Sequence, residues 1–226
     1  MVIVAAVLFW SNSAARQGIQ SGTPKPIPFS QDIAAFKQAD KVSPPSKGQI
    51  LFIGSSSFTR WTDVGSYFPD RKILNRAFGG SSLPDVIRFV DDVVTPYAPK
   101  QVVIYCGEND FAGNPKLASY VVLNRFKHLF RAIRHRFPEV PIAYVAMKPS
   151  PSRWHTRAKF VAANQWISEY LRQQRGTAFI DVWNAMLDEH GRPKPSIFVG
   201  DQLHMNASGY KIWQPIFDSV LVKSSP

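Results

Sequence analysis

The sequence predicts an α/β fold, a three-layer sandwich around a central, mostly parallel sheet of five strands. Three observations lead there. Short apolar runs alternate with longer segments whose apolar residues recur every three or four positions. The runs are apolar throughout rather than at every second residue, the pattern of strands covered on both faces. The segments between them are long enough for the helical crossovers that parallel neighbours need.

The elements follow in order along the chain. Residues 32–41 read as a short helix, closed by the turn-forming stretch Ser43-Pro44-Pro45-Ser46-Lys47-Gly48. Residues 49–53 form the first strand, bounded by Gly54, and residues 72–75 the second. Ser82-Leu83-Pro84-Asp85 opens a helix as a capping box, with proline at a permissive early position. Residues 101–105, rich in β-branched side chains, form the third strand. A helix over 115–137, a strand over 141–147, a helix over 154–174 and a strand over 177–182 continue the alternation. Asn206 caps a last helix that runs to Val220. No internal repeat and no second core is evident, so residues 30–226 read as one domain.

Composition removes several functional classes. The chain has 226 residues, 45% of them apolar and 19% charged, an ordinary globular balance. Its single cysteine, Cys106, excludes an internal disulfide, a CxxC redox pair and a cysteine-based zinc site, and reads as a small core residue. No GxGxxG, GxxxxGK[ST] or HExxH motif is present, and no His, Asp and Glu set has metal-ligand spacing. No cofactor or metal is expected. No apolar run approaches the length of a membrane-spanning helix.

The net charge of +11 raises the question of nucleic acid. The densest basic stretch, Arg125 to Arg136, is interleaved with Phe126, Leu129, Phe130 and Ile133 at helical spacing. It reads as a helix with an apolar inner face and a solvated basic outer face, and no specific nucleic-acid partner is expected. At the other end, residues 2–10 (VIVAAVLFW) have the length of a signal-peptide core, although only Met1 precedes them. Residues 21–29 hold three prolines and read as an extended linker. Residues 1–29 are thus expected to be a leader remnant and tether, and the protein to be exported.

In a doubly wound sheet, ligands bind at the carboxyl ends of the strands. Four segments fall there or beside them: Gly54-Ser55-Ser56-Ser57, Phe78-Gly79-Gly80-Ser81, Gly107-Glu108-Asn109-Asp110 and Asp201-Gln202-Leu203-His204. Each alone is an ordinary turn. Together they supply a hydroxyl nucleophile, an imidazole base, a carboxylate to orient it and donors for an oxyanion. The spacing of three between Asp201 and His204 lets both side chains lie on one face of a turn. The segment Lys148 to Trp154 follows the fourth strand, which makes Arg153 and Trp154 candidates to face substrate. Trp61, Trp166, Trp183 and Trp213 are assigned to the core or its margins, and His155 and His190 stand alone.

These four blocks, in this order over residues 50–213, resemble the SGNH or GDSL family of serine esterases. The resemblance implies a flavodoxin-like fold with Ser56 as nucleophile, Asp201 and His204 completing the relay, and Ser56, Gly80 and Asn109 forming the oxyanion hole. Ser55 stands where the family name implies Asp, and with Phe58 and Trp61 it resembles the Gly-Ser-Ser-Ser branch. Ser55 and Ser57 are adjacent alternatives, with the strand-end register favouring Ser56. A GxSxG elbow is absent, because position 58 is Phe. The implied activity is hydrolysis of short acyl esters, acetyl above all and carbohydrate-linked among them. A lysophospholipase or thioesterase of the same family and a silent glycan-binding protein are the alternatives.

Overall fold

A computed structural model describes residues 26–223. The apolar stretch read as a leader remnant, and most of the proline-rich stretch read as a linker, lie outside the described residues. Five parallel strands form one sheet: β1 Ile50–Gly54, β2 Ile73–Asn75, β3 Gln101–Tyr105, β4 Ile142–Val145 and β5 Thr177–Ile180. Their spatial order is β2-β1-β3-β4-β5, with all four pairings parallel. This is the flavodoxin-like order, and the direction of winding reverses between β1 and β3.

Burial explains the strand sequences. The residues of β1, β3 and β4 are buried throughout, whereas the edge strands β2 and β5 are mostly half-buried. Alternate strand residues feed two separate cores. Leu51, Ile53, Val102, Ile104, Ile142 and Tyr144 face one of them. It is covered by helices α1 (Ser30–Val42), α4 (Leu83–Arg88), α5 (Val90–Val93), α7 (Ser119–Arg136) and α8 (Arg157–Arg172). Ile50, Phe52, Val103, Tyr105, Ala143 and Val145 face the other. There α2 (Ser56–Thr59), α3 (Val64–Tyr67) and α9 (Ala207–Asp218) pack an aromatic cluster of Phe58, Trp61, Tyr210, Trp213 and Phe217. One further short helix, α6 (Glu108–Gly113), follows β3.

Local chemistry sets the helix starts as expected. The Asp85 carboxylate accepts the Ser82 N–H at 3.0 Å and opens α4. Asn206 caps α9, its side-chain oxygen accepting from the N–H groups of Ser208 (2.9 Å) and Gly209 (3.3 Å). Cys106 is buried.

Three expectations change. Helix α8 begins at Arg157, because Pro151–Thr156 tightens into a 3-10 turn. Trp166 is exposed on α8 rather than at the core margin. The basic face of α7 is only partly solvated. Arg125 turns in to the buried Asp110 carboxylate at 2.7 Å, Arg134 donates to the carbonyls of Val140 and Arg175, and Arg136 pairs with Asp91.

Candidate active site

The site forms where β1 and β3 end, at the reversal of the winding. Gly54 closes β1 at φ +121°, and a Cβ there would lie 2.0 Å from the Tyr105 carbonyl oxygen. Only glycine fits, and the chain leaves the sheet abruptly. The Ser55 N–H still donates to Tyr105 O at 2.8 Å, and Ser56 becomes the first residue of α2. Tyr210 of α9 fastens this turn from below, its hydroxyl donating to Ser57 O at 2.9 Å.

The Asp201–His204 segment is built by its own short-range bonds. Asp201 Oδ1 accepts the N–H groups of Leu203 and His204, both at 2.9 Å. Oδ2 is thereby aimed at His204 Nδ1, 2.6 Å away. Nε2 of the same ring lies 2.9 Å from Ser56 Oγ. A carboxylate only accepts, so Nδ1 carries the ring proton and Nε2 is left to accept from the serine hydroxyl. The hydrogen bond from the His204 side chain, followed by that from its backbone, holds the Asp201 carboxyl well below the usual carboxylate range.

Of the three adjacent serines, only Ser56 bonds to the imidazole. Ser55 is buried and accepts a hydrogen bond from Asn109 Nδ2 at 2.8 Å, and Ser57 is buried beneath the turn. The N–H groups of Ser56 and Gly80 have no acceptor among the described residues. Gly80 lies in the loop after β2, which is tied to the end of β1. Phe78 N–H and Ser81 Oγ both donate to Gly54 O, at 2.9 and 3.0 Å. Asn109, in the first turn of α6, donates its second amide hydrogen to Ser81 O at 3.0 Å. Ser56, Gly80, Asn109, Arg153 and His204 line one open cleft of about 410 Å3, with Thr59 and Arg60 beside them.

The two residues expected to face substrate part company. Arg153 reaches the cleft, but its guanidinium is committed to Glu108 Oε2 at 3.1 Å and Asn109 Oδ1 at 2.8 Å. Trp154 does not line the cleft. It stacks on Trp183 with ring centroids 6.1 Å apart, and Arg157 and Arg192 lie over the Trp154 ring.

Sequence reasoning missed two charged residues behind the cleft. Glu108 Oε1 accepts from Lys148 Nζ at 3.0 Å and from the Tyr105 hydroxyl. The Lys148 side chain is only 2% exposed, so the pair is fully inside the protein. Burial pushes the Glu108 carboxyl up, but Lys148 and Arg153 outweigh it and the net direction is down. The strand-end rule contained the signal, since Glu108 immediately precedes Asn109 and Lys148 follows the fourth apolar run. Asp110 is the neighbouring structural tie, accepting Leu83 N–H at 3.0 Å as well as Arg125. Among the described residues no cluster of His, Cys, Asp and Glu could hold a metal ion, and no helix is long and apolar enough to cross a membrane.

The profile of the GDSL-like lipase/acylhydrolase family matches residues 52–212, from within β1 to within α9. The chain belongs to this family. No curated protein sequence matches it significantly. Among solved structures, a Streptococcus pneumonia protein provisionally designated platelet activating factor superposes with a TM-score of 0.73 at 19% identity, covering 84% of this chain and 90% of that one. A GDSL-like lipase from Bacteroides thetaiotaomicron gives 0.68 at 14% identity, with 83% and 97% covered. A Clostridium thermocellum family 3 carbohydrate esterase gives 0.60 at 16% identity, with 77% and 95% covered. At these identities the likeness is one of fold, and this GDSL acylhydrolase shares the five-stranded parallel architecture of its neighbours. The matched span contains Ser56, Gly80, Asn109, Asp201 and His204.

Proposed function

We propose that this GDSL acylhydrolase is a serine ester hydrolase that cleaves short acyl esters, acetyl above all, through a covalent acyl-enzyme. One observation carries the reading: His204 bonds Ser56 Oγ through Nε2 and Asp201 through Nδ1. Ser56 Oγ attacks the acyl carbon as its proton passes to His204 Nε2. Asp201 holds the ring in the tautomer that makes this possible and faces the imidazolium that forms. The oxyanion is stabilised by the Ser56 and Gly80 N–H groups and by Asn109, whose amide hydrogen on Ser55 Oγ is released to it. The carbon–oxygen bond then breaks, and His204 returns the proton to the leaving alcohol. Water attacks the acyl carbon, loses its proton to His204, and the acid departs as Ser56 regains its hydrogen.

The cleft volume of about 410 Å3 and its open form suit a small acyl group on a larger alcohol such as a sugar. A second reading, longer acyl chains as in lysophospholipids or thioesters, is favoured by one observation. A neighbouring cavity of about 450 Å3, lined in part by Phe111, Pro115 and Phe160, also borders Arg153 and Glu108. A panel of nitrophenyl acetate, nitrophenyl octanoate and acetylated sugars, tested on wild type and Ser56→Ala, decides between them. Cleavage by both proteins alike would remove Ser56 from its role. A preference for octanoate over acetate would replace the first reading with the second.

A further inference from the structure

We propose that Arg153 is a positioning residue, braced by Glu108 and Lys148, that fixes the Asn109 side-chain amide with its N–H pole toward the oxyanion. The inference rests on the reading of Asn109 as an oxyanion donor given above.

A carboxamide has two nearly isosteric orientations, related by a half-turn about its last torsion. Only one of them helps an oxyanion, since the carbonyl end would repel it. The protein selects between them from both sides. One obligate acceptor, Ser81 O at 3.0 Å, faces Asn109 Nδ2, together with the Ser55 hydroxyl at 2.8 Å, which accepts from it in this pose. One donor, Arg153 Nη2, faces Oδ1 at 2.8 Å. A guanidinium has no acceptor, so a flipped amide would set two donors against each other. Ser81 O alone leaves the amide free to pivot about one bond, whereas the contact at Oδ1 fixes its plane.

Arg153 comes from the 3-10 turn after β4, 44 residues beyond Asn109, and its long side chain needs its own restraint. Glu108 supplies it. The two prongs of the guanidinium grip two consecutive side chains of α6, Glu108 Oε2 and Asn109 Oδ1. The other oxygen of Glu108 is anchored by Lys148 Nζ and the Tyr105 hydroxyl, both buried.

The test is a double-mutant cycle of Arg153→Ala and Asn109→Ala, read as kcat and KM on a nitrophenyl ester that wild type cleaves. Asn109→Ala is expected to lower kcat roughly 100- to 1,000-fold, the range for loss of one oxyanion donor. Arg153→Ala is expected to lower kcat roughly 10- to 100-fold, as for groups that orient a site residue from behind, with KM little changed. In the Asn109→Ala background the same arginine change should cost under about two-fold, because its effect passes through the missing amide. Added guanidinium ion should restore part of the activity of Arg153→Ala and none in the double variant.

If Asn109→Ala leaves kcat unchanged, the oxyanion reading of Asn109 fails. If Asn109→Ala is impaired while Arg153→Ala is not, or if the two losses multiply in full, that reading stands and the positioning role is overturned. Should Arg153→Ala fail to fold, Arg153→Lys takes its place. A single ammonium keeps the charge beside Glu108 but cannot span both partners, so kcat should still fall at unchanged thermal stability, and an unchanged kcat would overturn the proposal.

Discussion

Asp201 binds His204 twice, through Oδ2 to the ring and through Oδ1 to the backbone N–H, and the same Oδ1 also accepts the Leu203 N–H. The carboxylate is therefore oriented before it meets the imidazole. Asp201→Asn keeps an oxygen for the backbone bonds and should fold normally. Its amide end, however, donates to Nδ1 and forces the proton onto Nε2, where it blocks acceptance from Ser56. Turnover should fall by about four orders of magnitude, as for the corresponding change in other serine relays. Stopped-flow measurement of acylation in both proteins checks this, and equal rates would remove Asp201 from the relay.

The same carboxylate predicts how stability depends on pH. Its folded-state pKa is depressed, first by the His204 side chain and then by backbone N–H groups. The stabilisation it contributes is thus present above the ordinary aspartate pKa of about 3.9 and is lost as pH falls through the lower folded value. Urea unfolding should show the largest gap between wild type and Asp201→Asn above pH 5, shrinking as the acid region is entered. A gap that widens on acidification would contradict the assigned direction.

The buried pair Lys148–Glu108 predicts a large asymmetry. Both side chains are almost wholly removed from water, at 2% and 7% exposed. Lys148→Met leaves Glu108 with Arg153 and Tyr105 but without its most buried counter-ion. Breaking such a pair from one side typically costs about 3–5 kcal/mol. Denaturant midpoints measure it, and a loss below about 1 kcal/mol would mean the cluster is hydrated rather than dry.

What the sequence disclosed and what it withheld divide along physical lines. Strand runs were legible because burial on both faces needs uninterrupted apolar residues, as in residues 102–105. The Asp201–His204 contact was legible because a spacing of three is local geometry. Asn206 was legible as a cap because it serves N–H groups two and three residues ahead. The Glu108–Lys148–Arg153 cluster was not, because its members meet across 40 and 45 residues and a charged residue in a sequence carries no mark of burial. Arg153 and Trp154 were expected to face the same way. In a 3-10 turn of three residues per turn, neighbours point roughly 120° apart. One therefore reaches the cleft while the other packs on Trp183.

Gly54 gives the last prediction, and it joins fold to site. The five-residue register between β1 and β3 ends with Gly54 opposite Tyr105. At that point the backbone adopts φ +121°, and an added Cβ would lie 2.0 Å from the Tyr105 carbonyl oxygen. No flexible side chain can yield there, because the obstacle is the neighbouring strand itself. Gly54→Ala must therefore either force β1 and β3 apart or rotate the turn that carries Ser55 and Ser56. Strained backbone alone costs about 1–3 kcal/mol, and the clash adds to it. The variant should be destabilised by more than about 3 kcal/mol, and any folded fraction should react slowly with a fluorophosphonate at Ser56. A stable Gly54→Ala protein with wild-type labelling would show that the serine does not depend on this strand end for its placement.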